Sequence, residues 1–262
     1  MNSMQQTSQS TNSILPWLTL LAIISTFAVN VWSNFSPING QTIGEISNTL
    51  FADVQIIPAN YAFAIWGLIY LGLFGFGIYQ LLPAQRSNPR LQSVRPLLIL
   101  ACIAQAVWVF FFLERQFWLS LVAMLVILLP LILIYRRLGV GRQPVSRGEK
   151  WLVQVPFGIY LGWISVATIV NVAIALHSQG WNGSGISPTV WTVLMMAVAT
   201  LVAAGLTIRH REIAFPLVII WALVAIAVRQ TTIPFIVITA IALSFALAVL
   251  VFLKVMARPR TA

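Results

Sequence analysis

Residues 117–135 read FWLSLVAMLVILLPLILIY, an unbroken apolar run bounded by Arg115 on one side and the pair Arg136 and Arg137 on the other. At a rise of about 1.5 Å per residue, such a run crosses most of a hydrocarbon core roughly 30 Å thick. In lipid the backbone N–H and C=O groups must be satisfied within the segment, so the run reads as a membrane-spanning α-helix. Comparable runs occur at about 14–33, 59–82, 96–113, 151–176, 187–208, 213–228 and 231–253. The chain is therefore expected to be an all-α integral membrane protein with about eight transmembrane helices. The seventh run is the shortest, and Arg209 and Arg211 before it and Arg229 after it mark its ends.

Composition agrees with this reading. Of 262 residues 60% are hydrophobic and only 8% charged, against roughly 25% charged in a soluble domain. A net charge of +10 would point to nucleic acid in a soluble chain. Here the basic residues lie between the apolar runs and do not interleave with aromatic residues in a polar stretch, so the expected partner is the lipid bilayer and not nucleic acid. The single cysteine, Cys102, sits inside an apolar run and excludes an intrachain disulfide or a multi-cysteine metal site.

Lysine and arginine are retained on the cytoplasmic side during insertion. Arg86, Arg90 and Arg95 follow the second span, Arg136, Arg137, Arg142, Arg147 and Lys150 the fourth, and Arg209 and Arg211 the sixth; Lys254, Arg258 and Arg260 close the chain. Thirteen of the fifteen basic residues thus fall on one face, against Arg115 and Arg229 on the other. The expectation is a multi-pass protein of the cell membrane with both termini cytoplasmic: a polar N-terminus over 1–13 and a basic tail over 254–262. The residues after the first run, Trp32, Ser33, Asn34 and Phe35, do not form a small-residue cleavage site, which disfavours a signal peptide.

An ionisable residue inside a span marks a proton relay, an ion site or a counter-ion. The runs as delimited contain none, which argues against ion-coupled pumping and against a retinal protein, and His177 and His210 lie at span ends, which argues against a buried haem or metal centre. Acids near the outer surface are Glu45, Asp53 and Glu114. The outer loop from Asn34 to Pro58 is the longest connection, with a turn signal at Asn39-Gly40. It is long enough to fold over a cavity, and a solvated connector fits it equally well.

Of ten tryptophans, Trp17, Trp32, Trp118, Trp151, Trp181 and Trp191 fall near span ends, as interfacial anchors do. Trp66, Trp108, Trp163 and Trp221 lie deeper, where an indole N–H needs a partner. Trp66 and Tyr70 are four apart, Gln105 and Trp108 three apart with Phe112 four further on, and Tyr160, Trp163, Ala167 and Asn171 share one helix sector. Counted from the outer boundary, Trp66, Trp108 and Asn171 come to one depth. Such a set lines either an aromatic cavity for a flat apolar ligand or an ordinary helix interface, in which amides bond across helices. Periodicity alone favours packing.

The fifth span, Tyr160-Leu-Gly-Trp163-Ile-Ser-Val-Ala167-Thr168-Ile-Val-Asn171, resembles the fifth helix of the TspO/translocator protein family, the tryptophan-rich sensory proteins. It matches the family pattern Y-L-x-W-x-x-x-A-T-x-x-N at every fixed position. The second span resembles that family's second helix through Pro58, Phe63, Trp66 and Tyr70, and the third through Gln105, Trp108, Phe111 and Phe112. Gln105 stands where the family has asparagine, Phe63 and Gly75 are shifted by one residue, the first outer loop differs in length and content, and spans six to eight are additional. The resemblance covers about residues 14–176 and implies a five-helix bundle, with 187–253 as a three-helix extension. It also implies a pocket near the first loop for a porphyrin or other tetrapyrrole, a sterol or a related planar apolar molecule, bound, sensed or transported.

On this resemblance the ligand-binding residues are Phe63, Trp66, Tyr70, Gln105, Trp108, Phe112, Tyr160, Trp163, Ala167 and Asn171. No resident cofactor is read, and a homodimer is left open. Two rivals remain: a membrane enzyme, needing Asp53, Glu45 or His177 at the pocket, and a scaffold using the extension as its interaction surface.

Overall fold

The structure, a computed structural model, describes residues 2–142, 144–210 and 212–257. Arg211, Arg258 and Arg260, counted above for the topology, lie outside the described residues, as do Met1 and the last residues of the basic tail. Among the described residues the elements are all helical. The eight long helices are α1 (Asn2–Phe35), α2 (Ile65–Tyr79), α3 (Pro89–Leu113), α4 (Phe117–Leu138), α5 (Val155–Ser178), α6 (Pro188–His210), α7 (Ala214–Arg229) and α8 (Pro234–Met256). Seven of the spans are long and apolar enough to cross a membrane. The exception is α7, whose 16 residues measure about 24 Å.

Local chemistry explains the helix ends. The Asn88 side chain accepts the Arg90 N–H, and Pro89 takes the first position of α3, where its missing N–H costs nothing. Gly139, at a φ of +60°, ends α4 in the left-handed conformation. Ahead of α5, one turn over Arg147–Glu149 and a π-turn over Lys150–Gln154 extend the span back to Arg147. The π-turn is explained by Pro156, which has no N–H to donate and whose ring crowds the carbonyl four residues earlier, so the ladder shifts by one residue and Val155 N–H bonds the Lys150 carbonyl.

The first five helices close into a ring. α1 packs on α2 and α3, α3 on α4, α4 on α5, and α5 on α2, giving the order α1–α2–α5–α4–α3. The extension lies outside this ring: α7 packs on α5, and α6 and α8 pack on α7 and on each other. α5 is therefore enclosed, and no residue from Val153 to Asn171 is exposed.

The approach of α7 to α5 depends on two glycines. A Cβ on Gly158 would stand 2.7 Å from Oε1 of Glu212, and one on Gly162 would stand 3.0 Å from Cβ of Val218 and 3.3 Å from the Phe215 carbonyl. Gly158 and Gly162 are four apart on one face, the spacing that lets two helix backbones approach closely in lipid. Glu212 fills this contact. Its carboxylate accepts the N–H groups of Ala214 at 3.0 Å and Phe215 at 2.7 Å, capping α7. Burial pushes the Glu212 carboxyl up to about 7, against the lowering effect of these N–H donors.

A second buried charge corrects the span boundaries. Arg95, placed by the sequence reading in a loop, lies inside α3 and is fully buried. It donates to Gln80 Oε1 at 2.9 Å, the Arg86 carbonyl at 3.0 Å and the Gln85 carbonyl at 3.2 Å. Gln80 in turn donates to the Pro16 carbonyl at 3.2 Å. One guanidinium thus satisfies carbonyls of the short helix Pro83–Arg86 that follows α2 and, through Gln80, ties α1 to the end of α2.

Two outcomes follow from the α5–α7 contact. Gly162→Leu is expected to cost about 1–3 kcal/mol by overpacking and to make the connections around α6–α8 protease-sensitive while the first five helices stay resistant; limited proteolysis with a thermal melt checks this. Because the folded carboxyl titrates above its unfolded value of 4.5, the native state holds the proton longer, so stability falls as pH rises from about 4.5 to about 7 and is level above. Melting temperatures across that window are expected to decline in the wild type and to decline measurably less in Glu212→Gln.

Candidate ligand pocket

At the end of the bundle opposite Arg95, the chain leaving α1 forms a roof. Within it lies a short helix, Ile43–Thr49, opened by a reciprocal cap: Thr42 N–H donates to Glu45 Oε2 at 2.7 Å and Glu45 N–H to Thr42 Oγ1 at 3.2 Å. The Thr42 backbone N–H beside it holds the Glu45 carboxyl below its ordinary value. A 3-10 turn over Asn60–Ala64 then leads into α2.

Beneath this roof is a small cavity between α2, α3 and α5. It is lined by Phe63 and Trp66, by Trp108 and Phe112, and by Trp163, Ala167 and Asn171, with Ile43, Ser47 and Pro58 contributed by the roof. Seven of the ten residues expected from the sequence therefore meet around one space. The rings interlock: Trp66 stacks on Tyr70 with centroids 5.7 Å apart, Phe63 meets Trp163 edge-on at 5.8 Å, and Trp108 lies tilted against Phe112 at 5.4 Å. Trp108 Nε1–H donates to Asn171 Oδ1 at 3.2 Å, and the Ser120 hydroxyl approaches the same oxygen at 3.0 Å. Both contacts use the amide oxygen, leaving the Asn171 NH2 group outside this pair of bonds. The common depth of Trp108 and Asn171 is thus a direct contact.

The other three expected residues do not line the cavity. Tyr160 is fully buried beside it, with Trp66 edge-on at 6.1 Å. Tyr70 turns its hydroxyl to the Thr26 carbonyl of α1 at 3.5 Å. Gln105 is fully buried, and neither of its amide atoms has a hydrogen-bond partner among the described residues, a costly arrangement in an apolar interior.

The cavity measures about 40 Å³, room for a water molecule or two and far below the roughly 300–1,000 Å³ of small-molecule sites. Ile43, Ser47 and Pro58 cover it from the roof, and the roof is fastened by α7. Arg229 donates to Asn48 Oδ1 at 2.7 Å and to the Ser47 carbonyl at 3.3 Å, Gln230 donates to the Gln55 carbonyl at 2.9 Å, and Trp221 donates its indole N–H to the Ala62 carbonyl at 3.1 Å. Sequence reasoning took Arg229 as a span marker and Trp221 as a deep indole whose N–H needs a partner, without naming one. Their pairing with the roof carries no local signal, because it joins residues far apart in the chain. Of the residues an enzyme would need, Glu45 is engaged in its cap, whereas Asp53 and His177 line a different cavity, between α5 and α6.

No curated protein matches the chain, and no solved structure does. A family model described as "TSPO-like protein" matches residues 16–253, from within α1 to within α8 and including all three additional helices. A multi-pass membrane protein matched over nearly its whole length in this way belongs to the TSPO-like protein family.

Proposed function

We propose that this protein binds a planar apolar molecule of the tetrapyrrole or sterol class in the pocket between α2, α3 and α5, and thereby senses or moves it across the cell membrane. The observation that carries the reading is the convergence of three indoles, two phenyl rings and an amide on one cavity beneath a separate roof helix. Indole and phenyl faces stack on a flat ring system, and the Asn171 NH2 group with the indole N–H groups of Trp66 and Trp163 supply the few polar contacts that orient it. A ligand of that size needs the cavity to widen by a shift of the roof, since its volume of about 40 Å³ cannot hold it. The basic end, with Arg86, Arg90, Arg136 and Arg137, is taken as cytoplasmic by the positive-inside rule, so the roof faces outward.

Quenching of tryptophan fluorescence by protoporphyrin tests the site. Trp163→Ala and Asn171→Ala are each expected to cost on the order of 1 kcal/mol, about a fivefold rise in Kd. Trp151→Ala, at a position 64% exposed, is expected to leave Kd unchanged. Unchanged affinity in folded Trp163 and Asn171 variants would make those residues helix-packing groups and end the proposal. Stopped-flow quenching tests the roof: Arg229→Ala removes two charge-assisted hydrogen bonds and is expected to raise the association rate several-fold, whereas a rate equal to the wild type would mean that the roof does not limit access.

A further inference from the structure

The three additional helices create a cavity larger than the pocket of the bundle. α5 and α6 both pack on α7 but scarcely on each other, and towards the roof end the gap between them is a cavity of about 600 Å³. Its body is apolar, with Ile169, Val172 and Ala173 on α5 and Met195 on α6, and its mouth carries Asp53, His177, Trp181 and Trp191. The volume falls within the range of small-molecule sites. The rim is fastened rather than loose: Thr189 at the start of α6 donates to Gln55 Oε1 at 3.0 Å, and Gln230 holds the Gln55 carbonyl.

The mouth has a definite chemistry. Trp181 and Trp191 lie tilted by 53° with ring centroids 5.5 Å apart, forming two walls of a corner. Their N–H groups are already spent inside the protein, Trp181 on Ser184 Oγ at 3.2 Å and Trp191 on the Gly183 carbonyl at 2.9 Å. What these indoles offer a ligand is therefore their π faces, which attract cations. Among the described residues Asp53 is the one carboxylate lining the cavity, and its side chain is exposed. Indole faces together with a carboxylate, above an apolar chamber, match an ammonium group attached to an apolar body. The interfacial-anchor reading of Trp181 and Trp191 does not account for their pairing or for the cavity they border.

We infer that the cleft between α5 and α6 is a second binding site, for a free amphipathic cation whose ammonium lies against Asp53 and the Trp181–Trp191 corner and whose apolar part fills the chamber down to Met195. This site stands independently of the bundle pocket, since it uses the opposite face of α5: Thr168, Val172 and Ala173 instead of Trp163, Ala167 and Asn171. A lipid with a phosphocholine head would bring the same ammonium, but its phosphate, two carbons away, would be repelled by Asp53.

Native mass spectrometry of the full chain in maltoside detergent, titrated with decyltrimethylammonium, tests the assignment. One equivalent is expected to bind at least tenfold more tightly than decyl sulfate and more tightly than decylphosphocholine. Asp53→Asn, a conservative change at an exposed position, is expected to weaken the cation at least tenfold; Ala173→Trp, which fills the chamber, to abolish binding; and Trp163→Ala to change nothing. Should Ala173→Trp fail to fold, Asp53→Asn decides. Equal binding of the sulfate, undiminished binding to folded Asp53→Asn, or loss of binding in Trp163→Ala would overturn the site, and equal or tighter binding of the phosphocholine would reassign it to a lipid headgroup.

Discussion

Helix α5 is the element on which the rest of the structure depends, because both the bundle and the extension pack against it and none of its side chains from Val155 to Asn171 is exposed. A helix in a bilayer ordinarily leaves one face to the acyl chains, and helices associate through close packing and hydrogen bonds instead of by escape from water. From Val153 to Asn171 every side chain of α5 is buried or half-buried. One face carries Trp163, Ala167 and Asn171 to the bundle pocket, and Gly158 and Gly162 admit α7. The ring of five helices and the extension are therefore two assemblies with one shared wall.

That arrangement gives the extension a bearing on the pocket without supplying any of its lining. The end of α7 reaches the roof through Arg229, Gln230 and Trp221, so the segment that covers the cavity is held from the extension as well as from the bundle. The roof is also held by Arg115, which donates to Gln41 Oε1 at 2.7 Å. The two basic residues that depart from the charge asymmetry of the sequence, Arg115 and Arg229, are thus the two whose side chains clasp the roof.

At the opposite end, buried charge is used structurally. Arg95 and Glu212 are each taken out of solvent, a step that costs several kcal/mol unless the charge is met by hydrogen bonds. Arg95 meets the Gln80 amide oxygen at the end of α2 and carbonyls of the short helix Pro83–Arg86 that follows it; Glu212 meets amide hydrogens at the start of α7. Each side chain satisfies backbone groups that a helix end leaves open. They differ in pH response, since a guanidinium stays charged whereas the Glu212 carboxyl, pushed up to about 7, titrates in the physiological range.

The sequence by itself determined the helical class, the eight runs and the family, because hydrocarbon leaves a chain no alternative to satisfying its backbone within each segment and because the fifth-span pattern is dense enough to be recognised. It also marked out Trp66, Trp108, Trp163 and Asn171, whose helical spacing is local information. Tertiary structure alone decided which of them meet: Trp108 and Asn171 are 63 positions apart and become neighbours only through the ring order. It also turned Tyr70 towards α1 and left Gln105 buried without a partner among the described residues. The Gly158–Gly162 spacing was visible as letters, but its partner was not, since a small residue admits any helix that fits. The same holds for the small pocket and the larger cleft between α5 and α6: a cavity is the space left over by helices that do not touch, and no single segment carries a record of it.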